Sequence, residues 1–280
     1  MPATWAKPGR ILAFMALISL PSGQAIATSQ TFTLAVVPQF TPVDIGLRWK
    51  PLLERLEAET GYGFQLRLFD KIPKFEADFL SGAPDLVYLN PYHMVLAAKS
   101  RGYIPLVRGT DQQKGILVVD NKSQINHPRD LIGKKIAFPA PNAFGSSLYM
   151  RALLTEKEGV AFTADYVGTH QNVYRHVVIG DAAAGGGIKT TLEKESAALQ
   201  SRLRVIYTTP AVASHPIAAH PRLPRGVRER IVAALFRIDA DPGGRKLLAD
   251  VELDRLVDAD YAHDYQPLES LKLDTHAVAN

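Results

Sequence analysis

Short apolar runs alternate with amphipathic segments along most of the chain, and this alternation constrains the fold more than any other feature. Residues 32–37 form an apolar run that Pro38 ends, and residues 85–89 and 115–119 form two more. Residues 44–60, between the first two runs, carry leucines at helical spacing with charges between them. Strands that alternate with helices build parallel or mixed sheets covered on both faces. The sequence therefore predicts an α/β fold.

The same reading places the other elements. Further strands are predicted at residues 64–69, 103–107, 136–138, 166–169, 182–185 and 203–207. Further helices are predicted at residues 74–80, 92–100, 146–158, 172–179, 225–238 and 244–248. The last third of the chain is expected to be mainly helical.

The N-terminus has the pattern of a cleavable secretory signal. Lys7 and Arg10 precede an apolar run over residues 11–20, and small residues at Ala25 and Ala27 suit a signal peptidase. Ten apolar residues are too few for the roughly 20 that span a bilayer. We expect cleavage after Ala27, with Ala25 as the alternative, and a periplasmic protein.

Composition excludes several kinds of protein. The chain has no cysteine, so it has no disulfide, no thiolate metal site and no lipid-modified cysteine. The formal net charge is +4, and two of these charges lie in the N-terminal segment, which is too mild a balance to indicate nucleic-acid binding.

No catalytic or cofactor motif is present. The sequence has no G-x-S-x-G elbow, no Walker loop, no G-x-G-x-x-G fingerprint and no convincing carboxylate pair. Four of its histidines show no zinc-ligand spacing: His215, His220, His263 and His276. We therefore expect a binding protein, not an enzyme, without metal or cofactor.

The first candidate binding element is the loop at residues 139–147 (PAPNAFGSS), which joins a predicted strand to a predicted helix. In such folds ligands collect at the carboxyl ends of strands, beside helix N-termini. Gly145 allows close approach of a ligand, Ser146 and Ser147 offer hydroxyl donors, and Phe144 offers an apolar wall. These features favour an oxyanion, although a helix-capping role for Ser146 stays open.

Other candidates follow other strands. Asn90 and Tyr92 come after residues 85–89, Phe40 follows the first strand, His170 precedes a helix, and Gly186 lies in a glycine run. Each has a structural alternative: an N-cap for Asn90, packing for the aromatic rings, a structural role for the histidine and a plain loop for the glycines. Arg175, one turn after the histidine, is a weaker candidate for charge compensation.

In order and spacing, several segments resemble one family. They are residues 37–39 (VPQ), 49–56 (WKPLLERL), 81–91 (SGAPDLVYLNP), 130–138 (DLIGKKIAF), 141–142 (PN), 169–170 (TH) and 259–261 (ADY). Over residues 31–271 the chain resembles the phosphate/phosphite/phosphonate-type substrate-binding proteins of ABC transporters.

This resemblance implies a two-lobed periplasmic-binding-protein fold of type II, in which each lobe is a mixed sheet flanked by helices. Residues 1–27 would be the signal peptide, residues 28–110 and 208–280 lobe 1, and residues 111–207 lobe 2. Hinge crossings would lie near residues 108–114 and 207–210. The expected protein is a monomer that traps a small anion in the cleft and presents it to an ABC permease. The alternatives are presentation to a sensor kinase, or a different organic anion as ligand.

The chain departs from the family in two places. Phosphonate binders usually carry Ser-Thr-Ser directly after Pro-Asn, whereas residues 143–145 (AFG) intervene here. Residues 185–189 (GGGIK) hold no carboxylate for an ammonium group. An aminophosphonate is therefore not the expected ligand.

Overall fold

A computed structural model describes residues 1–5 and 30–278 of the chain. The predicted signal peptide and its cleavage sites at Ala25 and Ala27 lie outside these residues, except for positions 1–5. The described part has two lobes, each built on its own sheet, with a short two-stranded ladder between them.

The strands of the described residues are β1 (Thr31–Val36), β2 (Gly63–Arg67), β3 (Leu86–Tyr88), β4 (Ile104–Gly109), β5 (Gln112–Gln113), β6 (Gly115–Asp120), β7 (Lys135–Phe138), β8 (Thr163–Tyr166), β9 (Ala184–Ile188), β10 (Leu203–Thr208), β11 (Val212–Ala213), β12 (Pro216–Ala219) and β13 (Leu256–Asp258).

The α-helices are α1 (Pro42–Thr60), α2 (Ile72–Ser81), α3 (Pro91–Arg101), α4 (Tyr149–Glu156), α5 (His170–Val178), α6 (Lys189–Glu193), α7 (Ala197–Gln200), α8 (Arg225–Ala240), α9 (Pro242–Asp250), α10 (Tyr261–Asp264) and α11 (Leu273–His276). Short 3-10 helices occupy Pro128–Leu131 and Gln266–Leu271, and a π-helix occupies Phe144–Leu148.

Lobe 1 contains a six-stranded mixed sheet of order β13-β4-β12-β3-β1-β2. Strand β1 is parallel to β2 and β3, whereas β12 runs antiparallel to β3 and β4. The parallel strands β1 and β3 end at the same edge, so Val37 and Leu89 both leave the sheet there. Helices α1 and α3 begin just beyond this edge.

Lobe 2 contains a five-stranded mixed sheet of order β10-β6-β9-β7-β8. Successive residues of β6 point to opposite faces. Leu117 and Val119 pack with Met150 of α4, and Ile116 and Val118 pack with helix α5 on the other face. Because both faces are covered, residues 116–119 of the strand are all apolar.

The ladder between the lobes pairs β5 with β11 in antiparallel register. Strand β5 lies between β4 of lobe 1 and β6 of lobe 2, and β11 lies between β10 of lobe 2 and β12 of lobe 1. Side chains also cross between the lobes: Phe144, Leu148 and Tyr149 belong to the same buried apolar cluster as the core of lobe 1. The lobes are therefore in contact in this conformation.

Local chemistry explains the helix limits. Thr41 caps α1 by accepting a hydrogen bond from the Asp44 amide, and Gly61 ends the helix with φ of 72°. The helix begins at Pro42, two residues before the predicted start, because proline suits the first turn of a helix. No helix of the described residues is long and apolar enough to cross a bilayer.

The structure differs from the predicted strands in three places. The glycine run belongs to the interior of β9, not to a loop after a strand, because all three glycines pair with β6 and Gly185 also pairs with β7. Strand β8 ends at Tyr166, where we expected it to begin. The mainly helical C-terminal third also contains β12, a central strand that was not predicted. Its segment is short and lacks the alternation of polar and apolar residues that indicates a strand.

Candidate functional site

The loop after β7 presents three backbone amides without partners. It enters a π-helix, in which the Ser147 and Leu148 amides both donate to the Ala143 carbonyl at 3.0 Å. The preceding amides, those of Phe144, Gly145 and Ser146, donate to no acceptor in the described residues. Unpaired amides at the start of a helical turn carry partial positive charge and point out of the turn. They form a group of electropositive N–H donors suited to an anion.

The two serines of this loop have different roles. Ser146 is 1% exposed, and its hydroxyl has no partner in the described residues. The Ser147 hydroxyl instead donates to the Pro141 carbonyl at 3.1 Å and accepts from Arg151 Nε at 3.2 Å. Ser146 therefore has a free buried hydroxyl for a ligand, whereas Ser147 holds the loop in shape.

Arg151 lies behind the loop and was missed by sequence reasoning. Its side chain is buried, with the residue 7% exposed. Nη2 donates to the Pro141 carbonyl at 2.7 Å, and the guanidinium carbon lies 5.6 Å from the centre of the Tyr166 ring. Desolvation by burial lowers the pKa of Arg151. Its position at i+4 from Ser147 on one helix face was the signal available in the sequence.

Gly186 lies beneath the π-helix, not at a surface open to a ligand. A Cβ at this position would meet the Ser146 carbonyl and the Phe138 ring. Gly115 on the neighbouring strand approaches the Gly145 carbonyl in the same way. The structure gives Gly186 a packing role: it lets the loop backbone lie directly on the sheet.

Aromatic candidates of the predicted site are largely used in packing. The Phe144 ring stacks on Tyr149 with centroids 5.4 Å apart and planes 4° apart. Tyr92 is 5% exposed within the lobe 1 cluster. Phe40 lies at the surface, where Arg48 covers its ring at 4.2 Å. These rings leave little open apolar wall for a large organic ligand.

Asn90 caps helix α3. Its side-chain oxygen accepts a hydrogen bond from the His93 amide at 2.8 Å, which is the structural alternative considered for this residue. Pro91 occupies the first helical position. The structure thus places Asn90 at the carboxyl edge of β3 with its oxygen already engaged.

His170 is the first residue of α5, after the N-cap Thr169. Its Nδ1 is buried without a partner in the described part of the chain. Desolvation by burial lowers the pKa of His170. The ring is therefore neutral at pH 7, and it offers one N–H donor without a charge.

A second polar cluster surrounds His215, which we had considered only for zinc spacing. His215 Nε2 lies 3.2 Å from Gln39 Nε2, and Nδ1 forms a short hydrogen bond with the Gln113 amide group. A neutral imidazole has one N–H, so one of the two glutamines presents its amide oxygen to it. His215 therefore connects the end of β1 to the ladder strand β5.

Burial keeps His215 uncharged. The residue is 6% exposed and its ring stacks on Tyr88. Desolvation, with a smaller contribution from His93, lowers the pKa of His215 to about 3. The contact between Gln39 and His215 could not be predicted from the sequence, because neither residue belongs to a recognisable pattern.

The two clusters both lie next to the ladder. Gln113 is two residues before Gly115, whose amide donates to Thr209 Oγ1 at 2.9 Å and whose Cα lies against the Gly145 carbonyl. Two residues span about 7 Å at most. The His215 cluster and the serine loop of lobe 2 therefore both lie close to the junction of the lobes.

The chain matches the family described as "ABC transporter, phosphonate, periplasmic substrate-binding protein" over residues 34–265. The chain belongs to this family. A curated relative, the phosphate-import protein PhnD of Mycolicibacterium smegmatis, is 24% identical over 235 residues, which cover 76% of this chain and 73% of the relative.

Solved structures share the fold. A protein of Xanthomonas citri bound to chloride ion has a TM-score of 0.77 at 17% identity, covering 89% of this chain and 100% of that one. PhnD1 of Prochlorococcus marinus in complex with methylphosphonate has a TM-score of 0.71 at 16% identity, covering 89% and 99%. The two-lobed α/β fold is thus that of periplasmic binding proteins, as the sequence predicted.

Membership of the family defines the general role. Its proteins are periplasmic components of ABC transporters that bind a small ligand and work with a membrane permease. They are substrate-binding proteins and not enzymes, which confirms the prediction from the missing catalytic motifs.

Proposed function

We propose that this protein binds a small tetrahedral phosphorus oxyanion without an amino group, between its lobes, and delivers it to an ABC permease. The observation that carries the proposal is the group of unpaired donors formed by the amides of Phe144, Gly145 and Ser146 together with the free Ser146 hydroxyl. Neutral donors of this kind stabilise an oxyanion when they are fixed in advance and shielded from water.

Charge supports an anionic ligand. Arg151 places a buried positive charge in contact with Ser147 and Pro141 of the loop. No carboxylate of the described residues lies within 4.0 Å of it. Burying a guanidinium without a counter-charge costs free energy, which a bound anion would offset. The same charge disfavours a cationic or zwitterionic ligand.

The surroundings support a ligand that is small and lacks an ammonium group. Phe144, Tyr92 and Tyr88 pack within the protein, so the cleft offers few open aromatic faces. The side chains of the His215 cluster are neutral amides and an uncharged imidazole. An ammonium group needs carboxylates or carbonyl oxygens directed at it, and the strand β9 that carries the glycine run offers no acidic side chain.

Relatives support the ligand class by their names. One is called a phosphate-import protein, and a solved structure of this fold holds methylphosphonate. We infer from these names and from the site that phosphate, phosphite and methylphosphonate are the compounds to test first.

The proposed working cycle uses the ladder as the hinge. Lobe 1 would comprise residues 28–110 and 208–280 and lobe 2 residues 111–207, with closure about β5 and β11. We propose that the mature protein is a monomer, exported by cleavage after Ala27, and that the permease recognises the closed form.

A thermal-shift screen of the mature protein tests this function. The panel contains phosphate, phosphite, methylphosphonate, 2-aminoethylphosphonate and sulfate. A ligand at 100 times its dissociation constant stabilises the protein by about 2.7 kcal/mol, which raises the melting temperature measurably. We expect a clear shift with one of the first three compounds and none with the aminophosphonate. A shift with the aminophosphonate alone, or with none of the five, would contradict the proposal.

A further inference from the structure

The most deeply buried arginine of the described residues stands next to the proposed anion loop. Arg151 is 7% exposed, and none of the other described arginines is buried to this degree. Its guanidinium donates to Ser147 Oγ at 3.2 Å and to the Pro141 carbonyl at 2.7 Å. Both acceptors are in the loop whose amides and Ser146 hydroxyl are free.

The charge of Arg151 is not balanced by the protein around it. Arg108, whose side chain is 16% exposed, is paired with a carboxylate: both oxygens of Asp264 accept from it, at 2.9 and 3.0 Å. Arg151 has only neutral partners in the described part of the chain: a carbonyl, a hydroxyl and the face of Tyr166. A structural arginine at such depth normally has a carboxylate, because an unpaired buried charge is costly.

The guanidinium also lies close to the expected position of the ligand. Ser146 and Ser147 are adjacent, so their Cα atoms are about 3.8 Å apart. The Ser147 hydroxyl bonds to Arg151, while the Ser146 hydroxyl and the preceding amides are free to bond the anion. At this range in a buried site, the attraction grows with each negative charge on the ligand.

We propose that Arg151 is the residue that determines the charge preference of this site, favouring a doubly charged tetrahedral oxyanion over a singly charged one of the same shape. This inference rests on the proposed function. Arg151 is a positioning residue, since it touches the loop and not the ligand. Its field makes the neutral donors of the loop selective for a dianion.

Methylphosphonate and methanesulfonate test the inference, because they have the same shape and differ in charge at about pH 8.5. Calorimetric titration, or competition against methylphosphonate for a weak ligand, gives the ratio of their dissociation constants at one pH. In the wild type we expect methylphosphonate to bind at least tenfold more tightly. In Arg151→Gln this preference should shrink about tenfold, the effect of losing roughly 1.4 kcal/mol of selective attraction. In Arg151→Lys, which keeps the charge, it should persist within about threefold.

A matched control distinguishes charge selection from support of the loop. Arg204, in the same lobe, donates to the backbone carbonyls of Ser123 and Ile125, as a structural arginine does. Arg204→Gln should lower the melting temperature and leave the ligand preference unchanged. If Arg151→Gln weakens both ligands equally, or leaves methylphosphonate affinity within threefold of wild type, the inference is wrong.

The other outcomes are also decisive. A wild type that binds both ligands equally contradicts the inference even if Arg151→Gln fails to fold. A wild type that binds neither compound, nor phosphate or phosphite, contradicts the proposed function itself. If methanesulfonate binds too weakly for competition, a loss of methylphosphonate affinity in Arg151→Gln that Arg151→Lys does not share supports the charge role.

Discussion

The imidazole of His215 stacks on the ring of Tyr88, with centroids 5.5 Å apart and planes 27° apart. Both of its nitrogens are engaged by glutamine side chains, Gln39 on one side and Gln113 on the other. The ring thus joins the carboxyl edge of the lobe 1 sheet to the ladder between the lobes, as a neutral group.

Acid should destabilise the protein through this histidine. The pKa of His215 is about 3 in the folded state, against 6.5 as its ordinary value, because burial disfavours the charged ring. The folded state therefore binds the proton less readily than the unfolded state, and stability is lost as the pH falls from 6.5 towards 3. Between pH 7 and pH 5 the free energy of unfolding should fall by about 2 kcal/mol on account of His215.

Urea unfolding at a series of pH values measures this loss. His215→Gln, which cannot be protonated, should flatten the slope over that range. A residual slope of the same sign is expected from His170 and His220, whose pKa values are also lowered by burial. An unchanged slope in the variant would show that His215 does not titrate as described.

His170 should act as a neutral group. Burial lowers its pKa, so the neutral form of its ring dominates at pH 7 and above. The ratio of methylphosphonate affinities between wild type and His170→Gln should therefore be constant from about pH 7 to pH 8.5, since ionisation of the ligand cancels in the ratio. A ratio that grows towards low pH would indicate an imidazolium donor.

The buried ion pair of Arg108 and Asp264 should contribute strongly to stability. Asp264 accepts two hydrogen bonds from the guanidinium, and its side chain is 3% exposed. Asp264→Asn leaves a buried arginine without its counter-charge and should lower the free energy of unfolding by about 3 kcal/mol. Glu54→Gln, which breaks the exposed pair with Lys50, should change it by less than about 0.5 kcal/mol. Equal effects of the two substitutions would contradict the stabilising role of the buried pair.

The C-terminal segment should depend on Asn142. The Asn142 side chain donates to the Val278 carbonyl and accepts from the Val278 amide, both at 3.0 Å. Asn142→Ala should cost about 1–2 kcal/mol of stability, since both bonds are lost at a residue that is 5% exposed. Asn126→Ala, at an exposed asparagine with one local bond, is the control and should be close to neutral. Denaturant unfolding compares the two, and a neutral Asn142→Ala would mean that this contact contributes nothing.

Much of the fold was predictable because local patterns agree with the tertiary structure. Proline at the start and glycine at the end define α1 and α3, and the apolar run of β6 reflects cover on both faces. Strand β12 was not predictable, because four small or apolar residues between turns fit a strand or a loop equally well. Its place in the sheet is decided by neighbours more than 100 residues earlier in the chain.

The candidate site was predictable only to the level of the loop. The position of residues 139–147 between a strand and a helix identified it. The different roles of Ser146 and Ser147 depend on the π-helix and on Arg151, which the sequence did not reveal. Gly186 was predicted as a ligand contact from its sequence, and the structure shows in addition that it allows close packing of that loop on β9. The His215 contacts join three segments that are distant in the chain, and no local sequence pattern predicts them.

Calorimetric titration of methylphosphonate into the wild type and Ser146→Ala tests the central claim most directly. Ser270→Ala, at an exposed serine whose hydroxyl donates only to the Pro267 carbonyl, is the matched control. We predict that Ser146→Ala weakens binding at least tenfold, about 1.4 kcal/mol, with an unchanged fold, and that the control binds as the wild type does. Wild-type affinity in Ser146→Ala would contradict the placement of the anion at this loop.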